Sequence, residues 1–336
     1  MKETRIPLVG SAPFFHAASS TAGDIWTAIL VLLPCLAWGT YAFGWRALAV
    51  VFCSVAAAMV GDLMQSAFRG RFELGDGSAA LTGLLIGYSM TAGVPLHIPI
   101  LSSLFAILVV KGAFGGLGNN WMNPALAGIV FATLNWPGSM AWIGSDPRLG
   151  AAGVPESLDS FAASIDAGLT HLFNSGFSPI FGVELADGYI GPLLGLRDGR
   201  IGETSGFLLL AASAILIGNR ILRWEVPASI FAAFGTLTWI FGGMRTENSF
   251  FSGDLLKALS HGSFFLVAFF MATDPVTSPT RRSRSLWYGA GIGSIAFILG
   301  YFGTRFDAMG AAVLMMNCFV PALDGMWKRH QAGGAA

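Results

Sequence analysis

The amino-acid sequence predicts an all-α integral membrane protein of about ten transmembrane helices, laid out as two inverted five-helix repeats. Three observations predict it. The 336 residues are 54% hydrophobic and only 11% charged, with a mean hydropathy of +0.64, where a soluble domain carries roughly a quarter charged residues. Ten segments meet or approach the about 20 apolar residues needed to cross about 30 Å of hydrocarbon. Lysine and arginine are distributed unequally between alternate connections, as short cytoplasmic loops require.

Residues 1–23, with Lys2 and Arg5, form a cytoplasmic N-terminal segment. The first span, 24–43, is too long for a signal-peptide core and runs into Gly44-Trp45-Arg46, not a small-residue cleavage site. Spans at 46–66, 77–93, 95–115 and 122–136 complete a first repeat over 24–136. The segment 137–204 holds no span and reads as a long periplasmic loop. Gly202-Glu203-Thr204-Ser205 opens the sixth span; a hydroxyl there can cap free backbone donors, and Glu203 suits the positive end of the helix dipole. Spans at 205–220, 225–242, 255–273, 286–303 and 308–326 make the second repeat, 205–326, followed by a cytoplasmic tail at 327–336.

With the N-terminus inside, the cytoplasmic side collects Lys2, Arg5, Arg69, Arg71, Arg220, Arg223, Arg281, Arg282, Arg284, Lys328 and Arg329. The short outer loops hold only Arg46, Arg245, Lys257 and Arg305. Arg148, Arg197 and Arg200 lie in 137–204, but long loops cross largely regardless of charge. Both termini are therefore expected in the cytoplasm. Five spans on each side of an outer loop place the two halves in opposite orientations, the mark of an inverted repeat. A short echo agrees: Asp76-Gly77-Ser78-Ala79-Ala80-Leu81 against His261-Gly262-Ser263-Phe264-Phe265-Leu266. Lys111, near the inner end of its span, is placed to snorkel, with a structural role as open as a functional one.

Several function classes are excluded. Nineteen basic residues balance nineteen acidic ones, so no broadly basic surface awaits nucleic acid. Cys35, Cys53 and Cys318 lie in apolar stretches without CxxC spacing, and five scattered histidines lack the paired helical spacing of a haem or metal site. No GxSxG elbow, P-loop or Rossmann fingerprint is present.

The polar residues inside apolar sequence are the candidates for function. Phe114 to Pro124 contains Asn119, Asn120 and Asn123 among three glycines and a proline. Such backbone is tolerated at membrane depth only where protein or a polar cavity covers it, so the segment is either a cytoplasmic turn or a broken helix around a ligand. Phe269 to Thr280 carries a nearly uncharged helix into a hydroxyl-rich turn, then Arg281, Arg282 and Arg284. Asp274 and Thr277 at that boundary are candidates for an ion or flavin path, against the plainer reading of a solvated turn between Pro275 and Pro279.

Taken in order, Ser11 to His16 (SAPFFH), Asp76 to Leu85 (DGSAALTGLL), Phe114 to Gly128 (FGGLGNNWMNPALAG), Gly202 to Ser205 (GETS), Met271 to Thr280 (MATDPVTSPT) and Met315 to Asp324 (MMNCFVPALD) resemble the landmark segments of one family. It is the D subunit of Rnf electron-transport complexes and its relative, the B subunit of the sodium-translocating NADH:quinone oxidoreductase. The roughly 23 residues before the first span favour the Rnf member. The resemblance implies two inverted five-helix halves like those of urea transporters, and a bacterial inner-membrane subunit of a complex that couples ferredoxin/NAD electron transfer to ion translocation, not catalytic alone. It implies other Rnf membrane and peripheral subunits as partners, with membrane lipid around the spans. A non-redox channel or transporter on the same inverted-repeat fold is the alternative.

In that family the outer loop carries a Ser-Gly-Ala-Thr-Pro-Leu-like element whose threonine bears FMN through a phosphodiester bond, placed there by a flavin transferase. The match here is Ala167-Gly168-Leu169-Thr170-His171-Leu172, which keeps the glycine, threonine and last leucine but loses serine, alanine and proline. Thr170 is the expected attachment site. Ser164, in Asp159-Ser160-Phe161-Ala162-Ala163-Ser164, is the alternative on a motif one residue shorter, and loss of flavinylation is the third reading. A noncovalent riboflavin is a further expectation.

Overall fold

The computed structural model describes residues 20–69, 74–113, 120–140, 156–176, 199–245, 249–253, 258, 262–279, 281–303 and 308–333. Its described regular elements are helical. α1 spans Thr21–Phe43 and α2 Trp45–Arg69; α3 is Ser78–Tyr88; α4 runs His97–Leu104 and continues as a π-helix over Phe105–Lys111. α5 is Pro124–Asn135, α6 Pro137–Met140 and α7 Glu156–Gly176. α8 spans Gly206–Gly218 and α9 Glu225–Phe241; α10, Gly262–Leu266, passes into a π-turn at Val267–Met271; α11 is Arg282–Tyr301 and α12 Ala308–Gly333.

Three of the described helices are long and apolar enough to cross a membrane: Thr21–Phe43, Trp45–Phe68 and Glu225–Met244. Ser78–Tyr88, His97–Lys111, Pro124–Asn135, Gly206–Gly218 and Ala308–Pro321 are apolar but shorter. The span expected at 77–93 is thus only an 11-residue helix. After Tyr88 the chain leaves the helix, and its carbonyls are taken by a distant segment: Gly202 N–H donates to Tyr88 O at 3.0 Å and Ile201 N–H to Met90 O at 2.9 Å. Those two bonds satisfy backbone groups that a broken helix would otherwise leave bare in apolar surroundings. At the other end of the chain, α12 continues to Gly333, through most of the expected tail at 327–336.

Small residues set the closest helix contacts. Gly83 and Gly87 of α3 lie against the α2 backbone, where a Cβ would meet Val55 Cα at 2.7 Å and Val51 Cα at 2.9 Å. Ser54 of α2 donates to Gly83 O at 2.7 Å and shares a 2.8 Å bond with Ser103 of α4. In α11, a Cβ at Gly289 would stand 2.6 Å from Val226 O, and one at Gly293 2.6 Å from Ile230 O. The contacts advance in the same sense on both helices, so α9 and α11 are parallel, and this is the most extensive helix pairing among the described residues. The run Gly289-Ala290-Gly291-Ile292-Gly293 carries small residues suited to close helix packing, and it packs within the chain, with Gly291 against Met316 of α12. One core, from Leu32 through Tyr88, Ile201 and Tyr288 to Val313, joins both halves.

The junction at Gly202 yields a prediction. A Cβ there would overlap the inner atoms of the Tyr88 ring, and that ring is pinned because Tyr88 Oη donates to Leu32 O at 2.7 Å. Gly202→Ala must therefore shift the backbone or break that bond. We expect a loss of about 1–3 kcal/mol, read as a lower melting temperature, with Gly199→Ala, where a Cβ meets nothing within 4 Å, as the silent control.

Candidate functional site

The most strongly built polar group lies between α2, α3 and the π-turn of α4. Lys111 Nζ donates to Asp62 Oδ1 at 2.7 Å and to Ser78 Oγ at 2.8 Å. Ser78 Oγ in turn donates to Asp76 Oδ1 at 2.8 Å, which also accepts the Ser78 N–H. The Lys111 and Asp62 side chains are each only 6% exposed. Taking both charges out of water costs several kcal/mol per ion, and close pairing with added hydrogen bonds is what offsets it. Asp62 Oδ2, however, accepts no hydrogen bond among the described residues.

The π-turn explains how the lysine gets there. Widening the helix by one residue per turn disturbs the backbone ladder and leaves carbonyls needing donors. Gln65, one turn beyond Asp62 on α2, supplies them, its Nε2 reaching Ile107 O at 2.5 Å and Leu108 O at 3.3 Å. Lys111 therefore does not snorkel. Sequence reading missed Asp62 altogether, although an acid inside the apolar span 46–66 was the available signal.

A second group joins the halves of the chain. Asn123 caps α5, its Oδ1 accepting from Ala125 N at 2.9 Å and Leu126 N at 3.2 Å. Its Nδ2 donates across the molecule to Met271 O at 2.9 Å, the end of the second π-turn. Two of the sequence landmarks, residues 114–128 and 271–280, thus meet through one side chain. Asn120 is buried at 7% exposure, and its Oδ1 has no hydrogen-bond partner among the described residues. Asn119 lies outside the described residues.

Asp274 organises the turn after Met271. Its Oδ1 accepts from Val276 N at 3.2 Å and its Oδ2 from the Thr277 hydroxyl at 3.2 Å, while Thr277 itself is buried. Burial raises the Asp274 carboxyl from its ordinary value, and those two hydrogen bonds oppose the rise. Nearby on α11 and α12, Tyr288 Oη donates to Asn317 Oδ1; Asn317 is 1% exposed, and its Nδ2 finds no acceptor among the described residues. Asn317 too was not singled out from sequence, because a lone asparagine in MMNCF carries no spacing signal.

Ser205 caps α8, accepting from Leu208 N at 3.3 Å, as the sequence leads one to expect. Glu203 beside it is buried and meets Arg200 Nη1 at 3.5 Å. Residues 156–176, read from sequence as part of a loop, form the 21-residue helix α7. Both candidate acceptors lie on it. Thr170 is buried at 8% exposure, whereas Ser164 is exposed. The acceptor chemistry for a phosphodiester-linked flavin is present at both, and solvent access in the folded helix at Ser164 alone.

Comparison with known proteins adds the following. A sequence profile of the NQR2, RnfD, RnfE family matches residues 8–333. The chain is 31% identical over 320 residues to the D subunit of the proton-translocating ferredoxin:NAD(+) oxidoreductase complex of Clostridium ljungdahlii, covering 94% of this chain and 93% of that one. It is 33% identical over 320 residues to the D subunit of the ion-translocating oxidoreductase complex of Stutzerimonas stutzeri, covering 90% of each. It is 30% identical over 326 residues to the D subunit of the Na(+)-translocating ferredoxin:NAD(+) oxidoreductase complex of Acetobacterium woodii, covering 97% and 95%. Relatives of nearly equal similarity are thus named for different ions.

Proposed function

The chain belongs to the NQR2, RnfD, RnfE family, and from that membership we propose that it is the D-type membrane subunit of an Rnf complex, which couples electron transfer between ferredoxin and NAD to ion translocation. The observation that carries the reading is similarity at about 30% identity along nearly the whole length of subunits so named. The reaction belongs to the complex, and this chain is not catalytic alone. Other Rnf membrane and peripheral subunits are its partners.

Within that complex, the chain sits in the bacterial inner membrane as two inverted five-helix repeats, 24–136 and 205–326, with both termini cytoplasmic and 137–204 periplasmic. A flavin transferase attaches FMN to Thr170 of α7, with Ser164 the alternative acceptor; a noncovalent riboflavin is the second flavin. A flavin takes up one or two electrons, and the protein's own task is to position it and tune its surroundings. The ion path runs through polar groups in the spans and at their ends: the Asp62–Lys111 pair, and Asn120, Asn123, Asp274 and Thr277 around the second π-turn. Buried ionisable residues in membrane spans are costly, and the presence of the Asp62–Lys111 pair within them supports such a path.

The complex-membership reading is tested with a tagged copy at native expression in mild detergent. It should copurify with the other membrane and peripheral subunits, and ferredoxin-linked electron transfer should follow the assembled fraction. A chain that emerges alone and still transfers electrons from ferredoxin would refute the assignment. A chain that emerges alone and only conducts a small solute or ion would favour the channel reading.

A further inference from the structure

The second half of the chain gathers positive charge at one place. α9 and α11 are parallel, so their N-terminal ends lie on the same side of the pair, each with the positive end of its dipole. Two connections 58 residues apart bring arginines to those ends. Arg220 and Arg223 come from the α8–α9 turn, Arg281 and Arg282 from the start of α11, and all four are exposed. The two connections are tied together: Arg223 Nη1 donates to Pro279 O at 3.4 Å, and Arg282 Nε meets Glu225 Oε1 at 3.0 Å. Glu225, buried at 6% exposure, is the only carboxylate within 220–225 or 281–287, and Arg282 already answers it.

Aromatic residues fix the level of this cluster. Trp224, at the start of α9, is 55% exposed, and Trp287, in the second turn of α11, is 66% exposed beside Leu286 at 46%. Exposed tryptophans at helix ends sit at the headgroup level of a bilayer, where one side of the ring meets apolar chains and the other meets water. Arginines set at the same level face phosphate groups, which a guanidinium binds through two parallel N–H donors. Charge alone would suit an acidic protein surface equally; the tryptophans and Leu286 below the arginines supply apolar contact that such a surface does not require and acyl chains do.

We propose that the adjoining N-termini of α9 and α11, with Arg220, Arg223 and Arg281, form a binding site for an anionic phospholipid, its phosphate held by the arginines and its acyl chains lying along Leu286 and Trp287. The inference rests on the membrane reading but not on flavin or ion coupling. Such a lipid clamps the α8–α9 turn to the start of α11, the two connections that lead into the parallel pair.

The test uses the delipidated complex in detergent. Its melting temperature is followed as cardiolipin, phosphatidylcholine or inorganic phosphate is added at equal phosphate concentration. Cardiolipin should raise it, phosphatidylcholine and free phosphate should not, and added salt should weaken the response. The Arg220→Gln/Arg223→Gln/Arg281→Gln variant should need about a hundredfold more cardiolipin for the same rise. Arg281→Gln alone should show a smaller shift, which keeps the test usable if the triple variant assembles poorly. A triple variant that responds like the parent overturns the site, as does a parent that responds equally to phosphatidylcholine or to free phosphate. Loss of a partner subunit with the cardiolipin response intact would mark the patch as a protein contact and overturn the lipid assignment.

Discussion

Lys111→Met should lower the stability of the chain by about 3–5 kcal/mol, the usual cost of leaving one member of a buried ion pair without its partner. The reason is local. Asp62 Oδ1 loses its 2.7 Å contact, Oδ2 has no hydrogen bond among the described residues to fall back on, and side chains only 6% exposed give either oxygen little access to water. Ser78 loses its contact with the ammonium as well, which loosens the start of α3 where Asp76 holds it. Neutralising both members, Asp62→Asn with Lys111→Met, removes the uncompensated charge and should restore most of the melting temperature. The double variant then separates structure from function. If the pair belongs to the ion path, ion movement per electron transferred stays lost in the stable double variant. Recovery of both stability and coupled transport would assign the pair to packing alone.

Much of the architecture is legible in the sequence because apolar length is a direct physical requirement of the bilayer. The helices at 24–43, 46–66, 225–242 and 286–303 match α1, α2, α9 and α11 within a few residues for that reason. The Ser205 cap was also visible, since a hydroxyl before an apolar run has one obvious use. What escaped is pairing between distant residues. Nothing local to Lys111 reveals that Asp62, 49 residues earlier, will neutralise it, nor that α4 widens into a π-turn to deliver it. Apolar content likewise cannot distinguish a full span at 77–93 from the short α3, because the break after Tyr88 is completed by Ile201 and Gly202, more than 100 residues away. For α7 the error had a different source. Leu158, Phe161, Ile165, Leu169 and Leu172 recur at helical spacing, but the absence of a membrane-length apolar run led the region to be read as loop.

The helical setting of α7 sharpens the flavin prediction. Exposure in the folded helix favours Ser164, and the residue pattern favours Thr170. A transferase that recognises a short segment and brings its hydroxyl onto a phosphorus atom must reach the backbone of that segment, which a folded helix engages in its own hydrogen bonds. The helix has to open at either residue, so static exposure counts for less than the Gly-x-Thr pattern, and Thr170 is the expected acceptor. In the transfer, Thr170 Oγ forms a bond to the FMN phosphorus of FAD, the pyrophosphate linkage breaks, AMP departs and the hydroxyl proton is lost. Coexpression with a flavin transferase should therefore give a fluorescent band on a denaturing gel, abolished by Thr170→Ala and retained by Ser164→Ala. The labelled peptide should carry the mass of FMN without AMP. A helix-favouring substitution outside the Gly-x-Thr pattern, such as Ser175→Ala at an exposed position of α7, should slow labelling if opening of the helix is required. Fluorescence that survives Thr170→Ala and disappears with Ser164→Ala would transfer the site to Ser164 and show that exposure, not the residue pattern, selects the acceptor; an unlabelled parent chain would remove the covalent flavin from this protein.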